Sequence, residues 1–422
     1  MCSSEKFDVA IVGGGPAGLS AAYHLAKMGF DVVLLERGKD VGCKNVFGGR
    51  VYAKPFIKYF ESFMQEAPIE RWVSEERLSL TWKDMSVDLT LHHSKNKSKG
   101  SFTVFLTKLV NWLATLVESH GGIVATGSLV NSLLVNEGIV SGVMVNGERI
   151  LADYVIIAEG SNGYLLEQHK LLPTPISRSM AVGVKEVIRL GKEKIDERFG
   201  DGVAWLFAGE VTEGVPGGAF LYTMKEYVSI GVVIRLSHVH RLQTDVKDIV
   251  EVFRHSDRVK NLLRGGTLVE YQAKTVREIS PINAYRNLIY GNGYLIVGEA
   301  AGTILNTGFT IHGVDFAVES GRIAAEAVEA AHAEGKNDKK ALSIYEKKLL
   351  SSEIYASIMK YRRIMSILEQ DDTYTIYPKI ICKLMDGLYD VEAVKSPKEA
   401  IKQATKDYSL FRLFMALLRV IM

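Results

Sequence analysis

The residues Phe7-Asp8-Val9-Ala10-Ile11-Val12 are apolar but for one position and predict a buried strand. Ala17 to Met28 sets apolar side chains at helical spacing, and Asp31 to Leu35 predicts a second strand. Strand, helix and strand in this order predict a parallel sheet. The glycine-rich stretch from Gly42 to Arg50 is expected to approach a partner closely, and a helix with polar and aromatic faces is predicted near Pro55 to Glu66. Phe105 to His120 is helical in spacing; a strand and a hairpin with an Asn146-Gly147 turn follow as a short meander. Tyr154 to Ala158 is a further buried strand, ending at Glu159-Gly160. From about Met180 to Arg277 the pattern changes to long antiparallel-type alternation, read as a second, inserted domain. Tyr294 to Gly298 returns to the buried-strand pattern and leads to a helix over Val314 to Ala333; from Lys339 onward the chain is helical in character.

These shifts divide the chain into four spans. Residues 1–170 and 286–335 form the two parts of a nucleotide-binding domain, and 171–285 a mainly antiparallel substrate domain. Residues 336–422 form a helical region ending in an amphipathic tail.

Composition narrows the classes. With 47% hydrophobic and 24% charged residues in 422, the chain has ample material for a large core. Lysine and arginine number 51 against 49 acids, so no overall field marks a nucleic-acid binder. Cys2, Cys43 and Cys382 lie far apart and match neither a disulfide framework nor an iron–sulfur spacing, which predicts a reducing, intracellular setting. No secretory signal is expected at the start, and no apolar run reaches the roughly 18 residues of a spanning helix.

The first candidate site is Gly13-Gly14-Gly15-Pro16-Ala17-Gly18, between the first strand and its helix. Gly13, Gly15 and Gly18 allow a tight turn, close approach to a pyrophosphate and close helix packing, while the helix start at Pro16 and Ala17 supplies an anion site. Glu36 ends the second strand, where an acid accepts hydrogen bonds from an adenosine ribose; Arg37 beside it belongs to the same set. The motif fits NAD or FAD. Gly298-Glu299-Ala300-Ala301-Gly302, followed by Asn306-Thr307-Gly308-Phe309-Thr310-Ile311-His312-Gly313 and a helix, resembles the second FAD motif of the glutathione-reductase-type flavoproteins. In that family the acid holds the ribityl or pyrophosphate region and the helix start faces the flavin pyrimidine. Here Glu299 stands for the usual aspartate, one methylene longer. An arginine and an aspartate common in the family fall at Leu106 and Val110, so those contacts do not carry over.

Three stretches then resemble the electron-transfer-flavoprotein:quinone oxidoreductases, most closely the short FixC-type members of the geranylgeranyl-reductase-like flavoproteins. They are Cys43 to Tyr52, which contains Gly48-Gly49-Arg50-Val51-Tyr52; Gly217-Gly218-Ala219-Phe220-Leu221-Tyr222; and Asn306 to Gly313. The resemblance implies an α/β chain with a glutathione-reductase-type FAD-binding Rossmann-like domain, an inserted α+β substrate domain and a C-terminal helical segment. It implies FAD as cofactor, with Gly48 and Gly49 against the isoalloxazine, and Gly308, Phe309, Thr310 and Ile311 in the flavin loop. Arg50 either anchors its loop, balances charge on reduced flavin or makes a structural ion pair. Phe220 and Tyr222 line an apolar quinone pocket, or are plain core; His312 is a proton donor there, or a packing residue.

The chemistry belongs to the flavin, and no catalytic side chain or metal is expected. Three dispersed cysteines hold no four-iron cluster, so the resemblance implies a separate small ferredoxin-like iron–sulfur protein and a two-subunit electron-transfer flavoprotein as partners. The implied reaction passes their electrons to a membrane quinone. A geranylgeranyl reductase and a flavin-bearing scaffold without turnover are the rival readings; a flavin monooxygenase is weaker. The tail from Tyr408 to Met422, with Arg412 and Arg419 among large apolar residues, suits an interfacial helix or a partner contact. Peripheral attachment on the cytoplasmic side of a membrane is expected.

Overall fold

A computed structural model describes residues 6–43, 48–93, 100–175 and 177–408, apart from the side chains of Arg178 and Met365. The strand Lys6–Val12 runs through the middle of an eight-stranded sheet, where Val9, Ala10 and Ile11 are wholly buried. It pairs in parallel with Val32–Leu35 and with Glu148–Ile157, and Ile123–Ala125 and Tyr294–Ile296 extend the parallel set on either side. The strands Val130–Asn136 and Ile139–Val145 add the predicted meander. Its Asn146-Gly147 turn has φ of 50° and 93°, the left-handed pair that the hairpin requires.

Two helices cover one another on this sheet. Pro16–Lys27 and the 20-residue Val314–Ala333 pack closely because Ala17 and Gly321 present almost no side chain at the crossing. Leu106–Ser119 packs on the first of them and buries Leu109, Val110 and Leu113. Val110 is therefore a core position, in keeping with its apolar identity.

The second sheet has seven strands, in the order Thr267–Arg277, Met180–Arg189, Tyr227–Arg235, Gly217–Thr223, Val203–Gly209, Glu75–Trp82 and Met85–His92. Alternation sends Trp205, Phe207, Leu221 and Ile230 to one face, where the helices Lys192–Phe199 and Val246–His255 contribute Ile195, Phe199, Ile249, Val250 and Phe253. The opposite face carries a smaller cluster of Ala204, Tyr222, Leu206 and Phe220 with Val73. The strands Glu75–Trp82 and Met85–His92 fall inside the 1–170 span read as nucleotide-binding, yet they complete this second sheet. Glu75–Trp82 pairs in parallel with Val203–Gly209, a partner distant in the chain that no local pattern reveals.

Two local expectations also change. The helix near Pro55 to Glu66 is broken at Phe60 into Lys54–Tyr59 and Phe63–Glu66. The break lets Phe56, Phe60 and Phe63 all enter the core against Phe102 and Trp112, with ring centroids 5.4 to 6.0 Å apart. The glycine-rich stretch does not end as a loop: Gly48–Tyr52 is a strand paired with Ser101–Phe105. Lys44 to Phe47 lie outside the described residues.

The chain closes with helices Lys339–Leu350, Glu353–Leu368, Asp372–Leu388 and Pro397–Thr405, the last begun by a capping box between Ser396 and Glu399. Among the described residues no helix is long and apolar enough to cross a membrane. The tail from Ser409, on which the interfacial-helix reading falls, lies outside the described residues.

Candidate active site

The first turn is built by close approach. Gly13 has a φ of +111°, and a Cβ there would stand 2.4 Å from the Ala158 carbonyl oxygen. A Cβ on Gly18 would stand 2.1 Å from the Gly13 carbonyl oxygen. Gly15 differs: it caps the helix that begins at Pro16, and a Cβ there would meet nothing within 4 Å. Two glycines thus close the turn and the third leaves open space at a helix start, where free N–H groups attract a phosphate. Glu36 accepts the Gly14 N–H at 2.9 Å and the Gly38 N–H at 2.7 Å, which fixes its carboxylate beside the turn. The Arg37 guanidinium lies 5.7 Å from the Tyr164 ring centre.

The second glycine turn meets the first. Gly298, with φ +69°, lies so near Ala17 that a Cβ would be 2.8 Å from the Ala17 Cβ. Gly298 donates its N–H to Ser320 Oγ at 2.9 Å, and Ser20 Oγ donates to the Val318 carbonyl at 2.7 Å, pinning the two helices across the join. Glu299 Oε1 accepts the Arg277 N–H at 2.8 Å, while Oε2 would stand 4.0 Å from a Cβ placed on Gly160. Burial pushes the Glu299 carboxyl pKa up, against the Arg277 N–H that favours its charge. Open space at Gly15, a fixed acid at Glu36 and a second acid at Glu299 fit an extended dinucleotide.

The loop after Glu299 is a small hairpin of Leu305–Asn306 and Ile311–His312. Its turn is held from within: Thr307 donates its N–H to the Thr310 carbonyl at 2.9 Å, and Thr310 donates its N–H to Thr307 Oγ1 at 2.9 Å. Gly308 has φ +84°, and Phe309 and Ile311 hold apolar side chains out, 62% and 47% exposed. His312 Nδ1 and Asp315 Oδ2 are 2.6 Å apart, with Asp315 buried. The imidazole is sandwiched between Tyr52, at 4.0 Å, and Phe316, at 5.0 Å.

Arg50 ties this loop to the second sheet. Its buried guanidinium pairs with Glu76, bonds the Tyr52 hydroxyl and donates to the Phe309 carbonyl at 3.3 Å. Burial opposes the Arg50 charge, but Tyr52 and Glu76 outweigh it and the pKa is raised. Arg50 is thus both the loop's anchor and one half of an ion pair. Gly48 is packed against protein: a Cβ there would be 3.1 Å from Met224 Cε and 3.2 Å from the Phe105 ring. Phe220 and Tyr222 stack at 5.0 Å on the sheet face that also carries Ala204 and Leu206. Tyr222 is buried beside Arg50 and Glu76, and that burial raises its phenol pKa.

Phe220, Tyr222 and His312, read from the sequence as one pocket, are therefore linked through Tyr52 and Arg50. Tyr52, Glu76 and Asp315 had no role in that reading. The three-residue spacing from His312 to Asp315 at a helix start was a usable signal; nothing in the sequence pairs Arg50 with Glu76.

A family described as "FAD dependent oxidoreductase" matches residues 8–79, and one described as "ETF-QO, ubiquinone-binding" matches residues 180–276. A probable electron transfer flavoprotein-quinone oxidoreductase of Escherichia coli K12, YdiS, is 34% identical over 407 residues, covering 95% of this chain and 94% of its own. This chain belongs to the electron transfer flavoprotein-quinone oxidoreductase family. Protein FixC of Escherichia coli O157:H7 is another relative, 36% identical over 396 residues and 92% of each chain. A geranylgeranyl bacteriochlorophyll reductase-like protein from Thermoplasma acidophilum has the same fold, with a TM-score of 0.76 at 19% identity over 96% of this chain and 99% of its own. That likeness concerns the fold alone. Like its family, this chain is an FAD-dependent oxidoreductase.

Proposed function

We propose that this oxidoreductase takes electrons from an electron-transfer flavoprotein and delivers them to a membrane quinone at the Phe220–Tyr222 face of the second sheet. The observation that supports this most is the convergence there of an apolar aromatic face, the Arg50–Glu76 pair and the Tyr52–His312–Asp315 stack. FAD supplies the exchange between single-electron and two-electron transfer. Gly13 to Gly18 and Glu36 would hold its adenosine and pyrophosphate, Glu299 its ribityl region, and Gly308 to Ile311 its ring.

The chain's own residues handle position and protons. A quinone takes up two electrons and two protons to become quinol, so the site must supply protons as well as exclude bulk water. An ionised Asp315 accepts only, which assigns the Nδ1 hydrogen of His312 to that pair and leaves Nε2 for exchange with substrate or solvent. Phe220 and Tyr222 give the quinone ring an apolar wall, and Arg50 keeps the Phe309 carbonyl in place beside it.

Cys2, Cys43 and Cys382 lie far apart and have no cluster-binding spacing, so the iron–sulfur centre is assigned to a separate ferredoxin-like protein. Peripheral attachment on the cytoplasmic side is assigned to the tail from Tyr408 to Met422, whose Arg412 and Arg419 suit anionic lipid. A chain ending at Asp407 should lose binding to anionic vesicles.

The deciding experiment reduces the FAD-loaded protein with reduced electron-transfer flavoprotein, with and without co-purified iron–sulfur protein, and offers a short-chain quinone. Bleaching of the flavin followed by quinol formation is the expected result. Saturation of a geranylgeranyl lipid without quinol would overturn the substrate, and a flavin that never bleaches would make the chain a scaffold.

A further inference from the structure

The Arg50 contact holds the flavin loop from one side; a second set of contacts reaches it from another. At the end of the strand Tyr227–Arg235, the buried Arg235 guanidinium meets Glu278, with Nε 3.1 Å from Oε2. Glu278 follows the long strand Thr267–Arg277, separated from Tyr227–Arg235 by Met180–Arg189, and its N–H is bound to the Ser179 carbonyl at 2.9 Å. Its other oxygen, Oε1, accepts from Asn306 Nδ2 at 3.4 Å. Asn306 Oδ1 in turn accepts the Gly308 N–H at 2.9 Å. Among the described residues Arg235 Nη1 is buried without a partner, so Glu278 is the group that balances this charge.

The chemistry of the chain of contacts is directional. An ionised carboxylate accepts hydrogen bonds and donates none, whereas an amide end can do either by turning over. Glu278 therefore forces the Asn306 amide to offer its NH2, and this places the amide oxygen on Gly308. Gly308 stands at φ +84°, a conformation open to glycine, with Leu368 Cδ2 3.2 Å from where a Cβ would lie. The turn from Thr307 to Thr310 is thus set by an amide whose orientation is decided in the second sheet.

We infer that Glu278 is a positioning residue for the flavin loop: with Arg235 it fixes the Asn306 amide, and through it the Gly308 N–H and the backbone presented to FAD. The inference rests on the assignment of Gly308 to Ile311 to the flavin, and it is independent of quinone as substrate. It also makes the loop a joint product of both domains, since Arg50 and Arg235 lock it through Phe309 and Asn306.

The test exchanges the two polar groups. N306D leaves the Arg235–Glu278 pair intact but sets a carboxylate against Glu278; E278Q, its oxygen held by Arg235, presents an NH2 to Asn306 and competes with the Gly308 N–H for the Asn306 oxygen. In the double variant E278Q/N306D the introduced glutamine donates to the introduced aspartate, which reverses that bond but leaves the aspartate's other oxygen to accept the Gly308 N–H. FAD dissociation constants, the visible circular dichroism of bound flavin and the unfolding midpoint of the FAD-free chain are measured, with no quinone or partner present. Each single variant should weaken FAD binding about tenfold and alter the flavin band, and the double variant should return both to within about twofold of the natural chain. Single variants that bind FAD as the natural chain does, or a folded double variant no better than the weaker single, would overturn it. Should E278Q fail to fold, N306D and the double variant decide alone. Because no quinone enters the assay, a negative result leaves the proposed electron acceptor untouched.

Discussion

Gly321 crosses Ala17 so closely that a Cβ on the glycine would stand 2.1 Å from the Ala17 carbonyl oxygen. This contact joins the helices that follow the two FAD motifs, and the Gly298 N–H on Ser320 and the Ser20 hydroxyl on Val318 sit beside it. G321A must push the helices apart. We expect it to cost about 2 kcal/mol of stability in denaturant unfolding of the FAD-free chain, and to release FAD on dilution. Full retention of both would mean that the join does not hold the two turns together.

Arg50 is almost wholly buried and Glu76 only partly so, which makes the pair unequal. E76Q leaves a buried cation short of its counter-charge, and about 3 kcal/mol of stability should be lost. R50M/E76L removes both charges and should recover most of that loss. Quinone turnover should not return with it, because Phe309 has lost its donor. Equal turnover in the natural chain and the double variant would make Arg50 a scaffold group.

His24 sits among Tyr23, Tyr59 and Phe60, and its Nε2 is buried without a partner among the described residues. Burial, then Arg322 and Lys27, lower its pKa from 6.5 to about 4. The unfolded chain therefore binds this proton first as pH falls. Stability from neutral His24 is present above pH 6.5 and is lost progressively between 6.5 and about 4. The loss is on the order of 3 kcal/mol, and H24F should flatten that part of the stability–pH curve. An unchanged slope in H24F would assign the acid sensitivity to other groups.

Asp315 holds the His312 imidazole at 2.6 Å between two aromatic rings. If this pair supplies protons to the quinone, D315N and H312N should each lower turnover about 100-fold while FAD content stays at one per chain. Turnover of D315N should also show a larger solvent deuterium effect than the natural chain. A loss of FAD rather than of turnover would make His312 a packing residue.

Much of the first domain was legible because its chemistry is local. Gly13 to Gly18 and Glu36 lie within one strand–helix–strand unit, and the constraints on them, a tight turn and an acid at a strand end, act between near neighbours. The helix Val314–Ala333 and the Asn146-Gly147 turn were legible for the same reason: periodicity and backbone preference are properties of short windows. The break at Phe60 was hidden because three phenylalanines at spacings of four and three read as one helix face.

What the amino-acid order determined by itself was the strand–helix–strand start, the later buried strands and long helices, the two glycine turns and the residue types able to hold a dinucleotide. Tertiary structure alone decided that Glu75–Trp82 joins the second sheet, that Arg50 answers to Glu76 and Phe309, and that Glu278 governs Asn306. The physical reason is separation along the chain: a buried charge or amide is satisfied by whichever partner the packed sheets bring to it, and that partner leaves no trace in its own neighbourhood.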